Sequence, residues 1–205
     1  MLDLMGRDYS NLHTFIHNLL KNCGEKYILT AEAKDILNNM TSNLVKRYAM
    51  AATQLCIYAD KVTIDSNVIS TLTKLWARTP STLLENAHEV WRYYLQNTVK
   101  GLSKHRRAGL CIPPARIETV IKEYQGIKQK IGEAAAIFLA AIVEQLLLNL
   151  LKQIIKDLGT RVTITGAHIY KAVPDLAEDL LFQNTFIPGY GLLNDSCEED
   201  YLDSE

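Results

Sequence analysis

The sequence predicts an all-α protein of two tandem units, each a short helix, a long helix and a short helix, embracing one another within one chain. Two observations carry this. Long amphipathic stretches free of Gly and Pro each lead into a short β-favouring run, and these runs, Lys61-Val62-Thr63-Ile64 and Arg161-Val162-Thr163-Ile164, lie 100 residues apart. The second long stretch is apolar on nearly every side, so it needs a cover that the short helices of its own unit cannot supply.

The first short helix is expected over His13–Lys21. From Glu25 to Thr79 there is no Gly or Pro. Thr30 is placed to cap a long helix whose first turn holds Glu32. Ala33, Ile36, Leu37, Met40, Leu44, Tyr48, Ala51, Ala52, Leu55 and Tyr58 then keep a three-four spacing over about 28 residues, or roughly 42 Å at 1.5 Å per residue. After the strand run, Asp65 or Ser66 caps a further helix through Val68, Ile69, Leu72 and Leu75.

The order then repeats. A short helix is expected over Ala115–Tyr124, Gly132 precedes a Gly- and Pro-free run to Leu158, and a last helix starts at about Thr165. Ile164 and Ile169 answer Ile64 and Ile69. In the second long helix Ile137, Phe138, Leu139, Ile142, Val143, Leu146, Leu147, Leu148, Leu150, Leu151, Ile154 and Ile155 leave only Glu144, Gln145, Asn149, Lys152 and Gln153 for water. The partner for such a rod is the other long helix. Burial of some dozen large side chains at roughly 1.5–3 kcal/mol each makes neither half stable alone.

Hydrophobic residues make up 48% and charged residues 22%, with 10 Gly and 5 Pro, a composition that excludes disorder as the default state. The net charge of −1 hides an uneven spread. Six acids and no base lie between Asp195 and Glu205, and without them 22 Lys and Arg face 17 acids, a balance of +5. Between Lys100 and Lys130, eight bases (Lys100, Lys104, Arg106, Arg107, Arg116, Lys122, Lys128, Lys130) face only Glu118 and Glu123. That stretch is a candidate electrostatic footprint for nucleic acid.

Other classes find little support. Cys23, Cys56, Cys111 and Cys197 show no paired short spacing, so neither zinc nor a disulfide framework is indicated and a reducing compartment is expected. His13 and His17 have helical ligand spacing but no third ligand, and no nucleophile motif or phosphate loop is present, so no cofactor, metal or enzymatic activity is expected. Met1–Tyr9 carries Asp3 and Asp8, which argues against a secretory leader. Ala134–Leu151 is long enough to span a membrane, but an acid such as Glu144 at mid-bilayer costs about 2.5–3.5 kcal/mol, and no membrane association is expected.

The residues Arg107-Ala108-Gly109-Leu110-Cys111-Ile112-Pro113-Pro114-Ala115-Arg116-Ile117 resemble the opening of histone two-A. Phe138-Leu139-Ala140-Ala141-Ile142-Val143-Glu144 is similar to the middle of that family's long helix, and Thr185-Phe186-Ile187-Pro188-Gly189-Tyr190-Gly191-Leu192-Leu193 to its docking segment. The first half resembles histone two-B through Ile36-Leu37-Asn38-Asn39, Arg47, Tyr58, the run Lys61–Ile64 and an extra helix from Pro80 to about Tyr94. The resemblance covers about Asp8 to Leu193. It implies two tandem histone folds in an intramolecular handshake: a two-B-like fold with an extra helix over 1–99, a two-A-like fold with its docking segment over 100–194, and an acidic disordered tail over 195–205. The fused order resembles the histone doublets of giant DNA viruses of the marseillevirus type.

The resemblance also implies a function and its residues. In a handshake the strand runs meet side by side, Tyr27–Thr30 with Arg161–Ile164 and Lys128–Gly132 with Lys61–Ile64. Arg116 and Lys130 stand where histone two-A places groove-reaching arginines, Arg161 and Lys61 precede the strands, and Thr63 and Thr163 offer hydroxyls and backbone N–H groups. With Thr30, Lys128, Arg106 and Arg107 these form the expected phosphate-contacting set, which reads no bases. Leu55, Tyr58 and Leu75 match the two-B surface that packs on histone four, and Thr185 and Ile187 belong to the docking segment. The expected partners are double-stranded DNA and a second doublet of types four and three, in a virion, viral factory or host nucleus.

Two departures qualify the resemblance. Near-neutral charge and an acidic tail imply loosely held DNA ends, since each missing phosphate contact lowers the salt slope by about 0.9. The acidic patch of histone two-A is only partly kept, through Glu144, Glu178 and Asp179 with Glu89 or Glu85 from the other half. The competing reading is a histone-fold scaffold of the transcription-factor type without strong DNA binding.

Overall fold

The computed structural model describes residues 12–125 and 129–176 and the backbone of 186–187 and 191–192; side chains are described over 12–122 and 129–173. The first half contains α1 (His13–Cys23), β1 (Ile28–Leu29), α2 (Ala31–Tyr58), β2 (Thr63–Ile64), α3 (Ser66–Trp76) and α4 (Pro80–Gln96). The second contains α5 (Lys104–Ala108), α6 (Pro114–Gln125), β3 (Lys130–Ile131), α7 (Glu133–Leu158), β4 (Thr163–Ile164) and α8 (Gly166–Leu176), followed by a short hairpin of β5 (Phe186–Ile187) and β6 (Gly191–Leu192).

The caps form as their residue types require. The Thr30 side chain accepts the Ala33 N–H at 3.2 Å and opens the 28-residue α2. Asp65, rather than Ser66, caps α3 by accepting the Val68 N–H at 2.9 Å. Asn38 uses its side-chain oxygen to accept the Leu12 N–H at 2.7 Å, fixing the start of α1 against α2. The five-residue α5 is an element that the sequence reading did not contain; Gly109, at φ 69°, ends it in the left-handed region.

The halves do not have separate cores. α7 packs chiefly on α4 and also on α1 and α3 of the first half, as well as on α6 and α8 of its own; the other long helix, α2, expected as its cover, meets it only briefly and carries α6 instead. Strand pairing crosses between halves at both ends: β1 runs parallel to β4, with Ile28 opposite Thr163, and β2 runs parallel to β3, with Thr63 opposite Lys130. This is the intramolecular handshake. Ile64, Ile69, Ile164 and Ile169, the residues that mark the repeat, are all buried. α7 is the one helix among the described residues long and apolar enough to cross a bilayer, and 78% of its apolar window is buried within the fold.

Gly166 shows how closely the units approach. A Cβ there would stand 2.8 Å from Ile36 Cδ1 and 2.7 Å from Glu32 Oε1, where α8 meets the first turns of α2. Glu32 is exposed and can swing aside; Ile36 is buried, so its Cδ1 can shift only against packed neighbours. Gly166→Ala is therefore expected to destabilise by about 1–2 kcal/mol, overpacking outweighing the gain in helix propensity, and chemical denaturation checks this. A more stable variant would contradict the contact.

Candidate nucleic-acid interface

Each end of the handshake brings a strand from one half beside a strand from the other. At the first end the Ile28 N–H donates to Val162 O at 2.9 Å and the Thr30 N–H to Ile164 O at 3.0 Å. Lys26, Arg161 and Thr163 are exposed here, and the Lys26 ammonium lies 5.0 Å from the centre of the Tyr27 ring. Lys26 was missed by the sequence reading, although it directly precedes Tyr27 in the paired run. Behind the strand, His168 Nδ1 accepts the Thr165 N–H at 3.1 Å, which places the neutral ring's proton on Nε2.

At the second end the Lys130 N–H donates to Val62 O at 3.1 Å and the Gly132 N–H to Ile64 O at 2.9 Å. Lys61, Thr63 and Lys130 are exposed, but the Lys61 ammonium sits 3.0 Å from Asp65 Oδ2. Burial acts to raise the Asp65 carboxyl, yet the Val68 N–H and the Lys61 ammonium outweigh it and hold the group below the usual carboxylate range. The ends are thus electrostatically unequal. Both ends have acids close by, Glu25 and Glu32 at the first and Asp60 and Asp65 at the second, but Lys61 is ion-paired whereas no ion pair among the described residues occupies Lys26 or Arg161.

Between the ends the basic stretch is thinner than its composition suggests. Lys104 lies 3.3 Å from Glu133 and 3.5 Å from Glu118, and Lys122 lies 3.8 Å from Glu118. Arg107 corrects an expectation: its Nε donates to Asn97 O at 2.9 Å and its guanidinium covers the Tyr94 ring at 4.2 Å, so it secures α5 to the end of α4. Thr30 is likewise committed to its cap, with only its hydroxyl proton left to give. Arg106 is exposed on α5 and Arg116 half-exposed in the first turn of α6. Lys128 falls outside the described residues.

Glu144 overturns its expected place in a surface acidic patch. It is 8% exposed, and its Oε2 accepts the N–H groups of Cys111 and Ile112 at 2.8 and 2.9 Å. Burial pushes its carboxyl up despite these two donors. Glu85 and Glu89 are exposed on α4, while Glu178 and Asp179 lie outside the described residues, as does the tail from Asp195.

On the expected partner surface, Tyr58 is 89% and Leu75 64% exposed and Leu55 is half-buried; Ile57 and Val62, also exposed, were not anticipated. Thr185 lies outside the described residues, and Ile187 is described only as backbone in β5, which lies against α2. His13 faces Asp35 at 3.1 Å, and no group of three metal-ligating side chains occurs among the described residues.

Among solved structures the chain is similar to the histone from Methanopyrus kandleri, at a TM-score of 0.55 and 15% identity over 80% of this chain and 93% of that one. No family model and no curated protein matches the sequence. Since 80% of the chain exceeds either half, the match extends across both units. The architecture is the histone fold, in tandem and paired with itself.

Proposed function

We propose that the chain is a structural, non-enzymatic DNA-packaging subunit that fills the place of a histone two-A/two-B dimer in a nucleosome-like particle, with the virus-type doublet as its kind. The observation that carries this reading is the pairing of β1 with β4 and β2 with β3, which sets Lys26 and Arg161 at one end and Lys61 and Lys130 at the other. Cations at two separated points suit a curved duplex, whose phosphates they neutralise with release of counterions. The Thr63 and Thr163 hydroxyls are exposed beside them. The resemblance to histone two-B favours Leu55, Tyr58 and Leu75 as the surface for a partner of types four and three, and the resemblance to virus-type doublets favours a virion, viral factory or host nucleus as its location.

A second reading, a histone-fold scaffold without strong DNA binding, draws on the near-neutral charge and on the ion pairs that occupy Lys61 and Lys104. Reconstitution separates them. The chain is mixed with a histone three–four tetramer and DNA, digested with nuclease, and the surviving fragments are sized. Packaging predicts protection of about 100 base pairs or more, and a complex that leaves the DNA fully digestible favours the scaffold.

A further inference from the structure

Glu144 is the one charged residue buried among the described residues, and it lies on a helix where leucine would fill the same space. No cation pairs with it among those residues. Both of its hydrogen bonds go to the backbone of one loop, residues 109–113, which Asn22 also touches by donating to Cys111 Sγ at 3.3 Å. A buried carboxylate is costly unless its oxygens are satisfied, and buried N–H groups are costly unless they are taken up, so the two needs are met together. The loop joins α5 to α6, with Arg106 on one side and Arg116 on the other. It enters through Gly109 in the left-handed region and leaves through Pro113 and Pro114, which fix φ and pass its orientation into α6.

We propose that Glu144 is a positioning residue for DNA binding: it holds this loop from α7 so that Arg106 and Arg116 keep a fixed relation to the paired-strand ends. The inference rests on the DNA-packaging reading. An alternative with no bearing on DNA is that the carboxylate only stabilises the loop.

The test compares the full-length wild type with Glu144→Gln and Glu144→Leu, titrating a fluorescent duplex between 50 and 200 mM salt and following thermal melting in parallel. Glutamine keeps an acceptor oxygen for both N–H groups, so affinity and salt slope should match the wild type. Leucine removes the acceptor, and the slope should shrink by about 1.8, two contacts at about 0.9 each, with affinity at least roughly tenfold weaker. A folded Glu144→Leu protein with the wild-type slope would overturn the positioning role. Should that variant not fold, Glu144→Asp, whose oxygens are withdrawn by one methylene, carries the same expectation and the same refutation. A wild type without salt-dependent binding would instead remove the packaging reading and this inference with it.

Discussion

Replacing Phe138 by Ala is expected to cost about 3–5 kcal/mol and to melt both halves in one transition. Phe138 is 2% exposed on α7, in the second half, and its ring meets His88 of α4, in the first half, edge to face with centroids 4.9 Å apart. The residues around it come from both units, so the cavity opens inside a shared core rather than in one domain. With native stabilities of about 5–15 kcal/mol, a loss of this size leaves little margin. Calorimetry checks the cooperativity: a single transition displaced to lower temperature is expected, and two transitions of which only one moves would mean that the halves fold apart.

The second large effect concerns DNA. The triple variant Arg116→Ala, Lys130→Ala, Arg161→Ala should retain its fold, because Lys130 and Arg161 are exposed and Arg116 half-exposed, yet lose about 2.7 from the slope of log affinity against log salt. Single changes at the two ends should not be equal. Asp65 holds Lys61, whereas no ion pair among the described residues occupies Arg161, so Arg161→Ala is expected to weaken binding more than Lys61→Ala. Filter binding or anisotropy across a salt series measures both. Equal effects would mean that Asp65 does not withhold Lys61 from DNA.

The handshake was legible because it is written in periodicity. Two strand runs 100 residues apart, and a helix with too much apolar surface for its own unit, called for a cover from the other half, although α4 rather than the other long helix supplies most of it. α5 was not legible, since five residues show no periodicity against which a helix can be recognised. Nor could a charge count separate Arg107, stacked on Tyr94, from Arg106, which is exposed: the difference lies in contacts made by residues distant along the chain.

Glu144 is the instructive error. A lone acid in an apolar helix reads as a solvent-facing residue, alongside Gln145, Asn149, Lys152 and Gln153. At about 100° per residue, however, the stripe centres on Gln145, Asn149, Lys152 and Lys156, and Glu144 sits about 100° away from its middle. That offset was available in the sequence. What the sequence could not supply is the loop whose N–H groups the carboxylate takes up.

The central claim is that loops from opposite halves form two paired contact points on a single duplex, and site-directed photo-cross-linking tests it most directly. A cross-linking amino acid is placed in turn at Ile28, Thr163, Thr63 and Lys130, and the linked bases are mapped on a positioned fragment. Ile28 and Thr163 should mark one short stretch, Thr63 and Lys130 another, because each pair shares a register. The 28 residues of α2 separate the two ends by about 42 Å, or about 12 base pairs at 3.4 Å per step. Register partners that link to distant stretches, or to no DNA at all, would contradict the account.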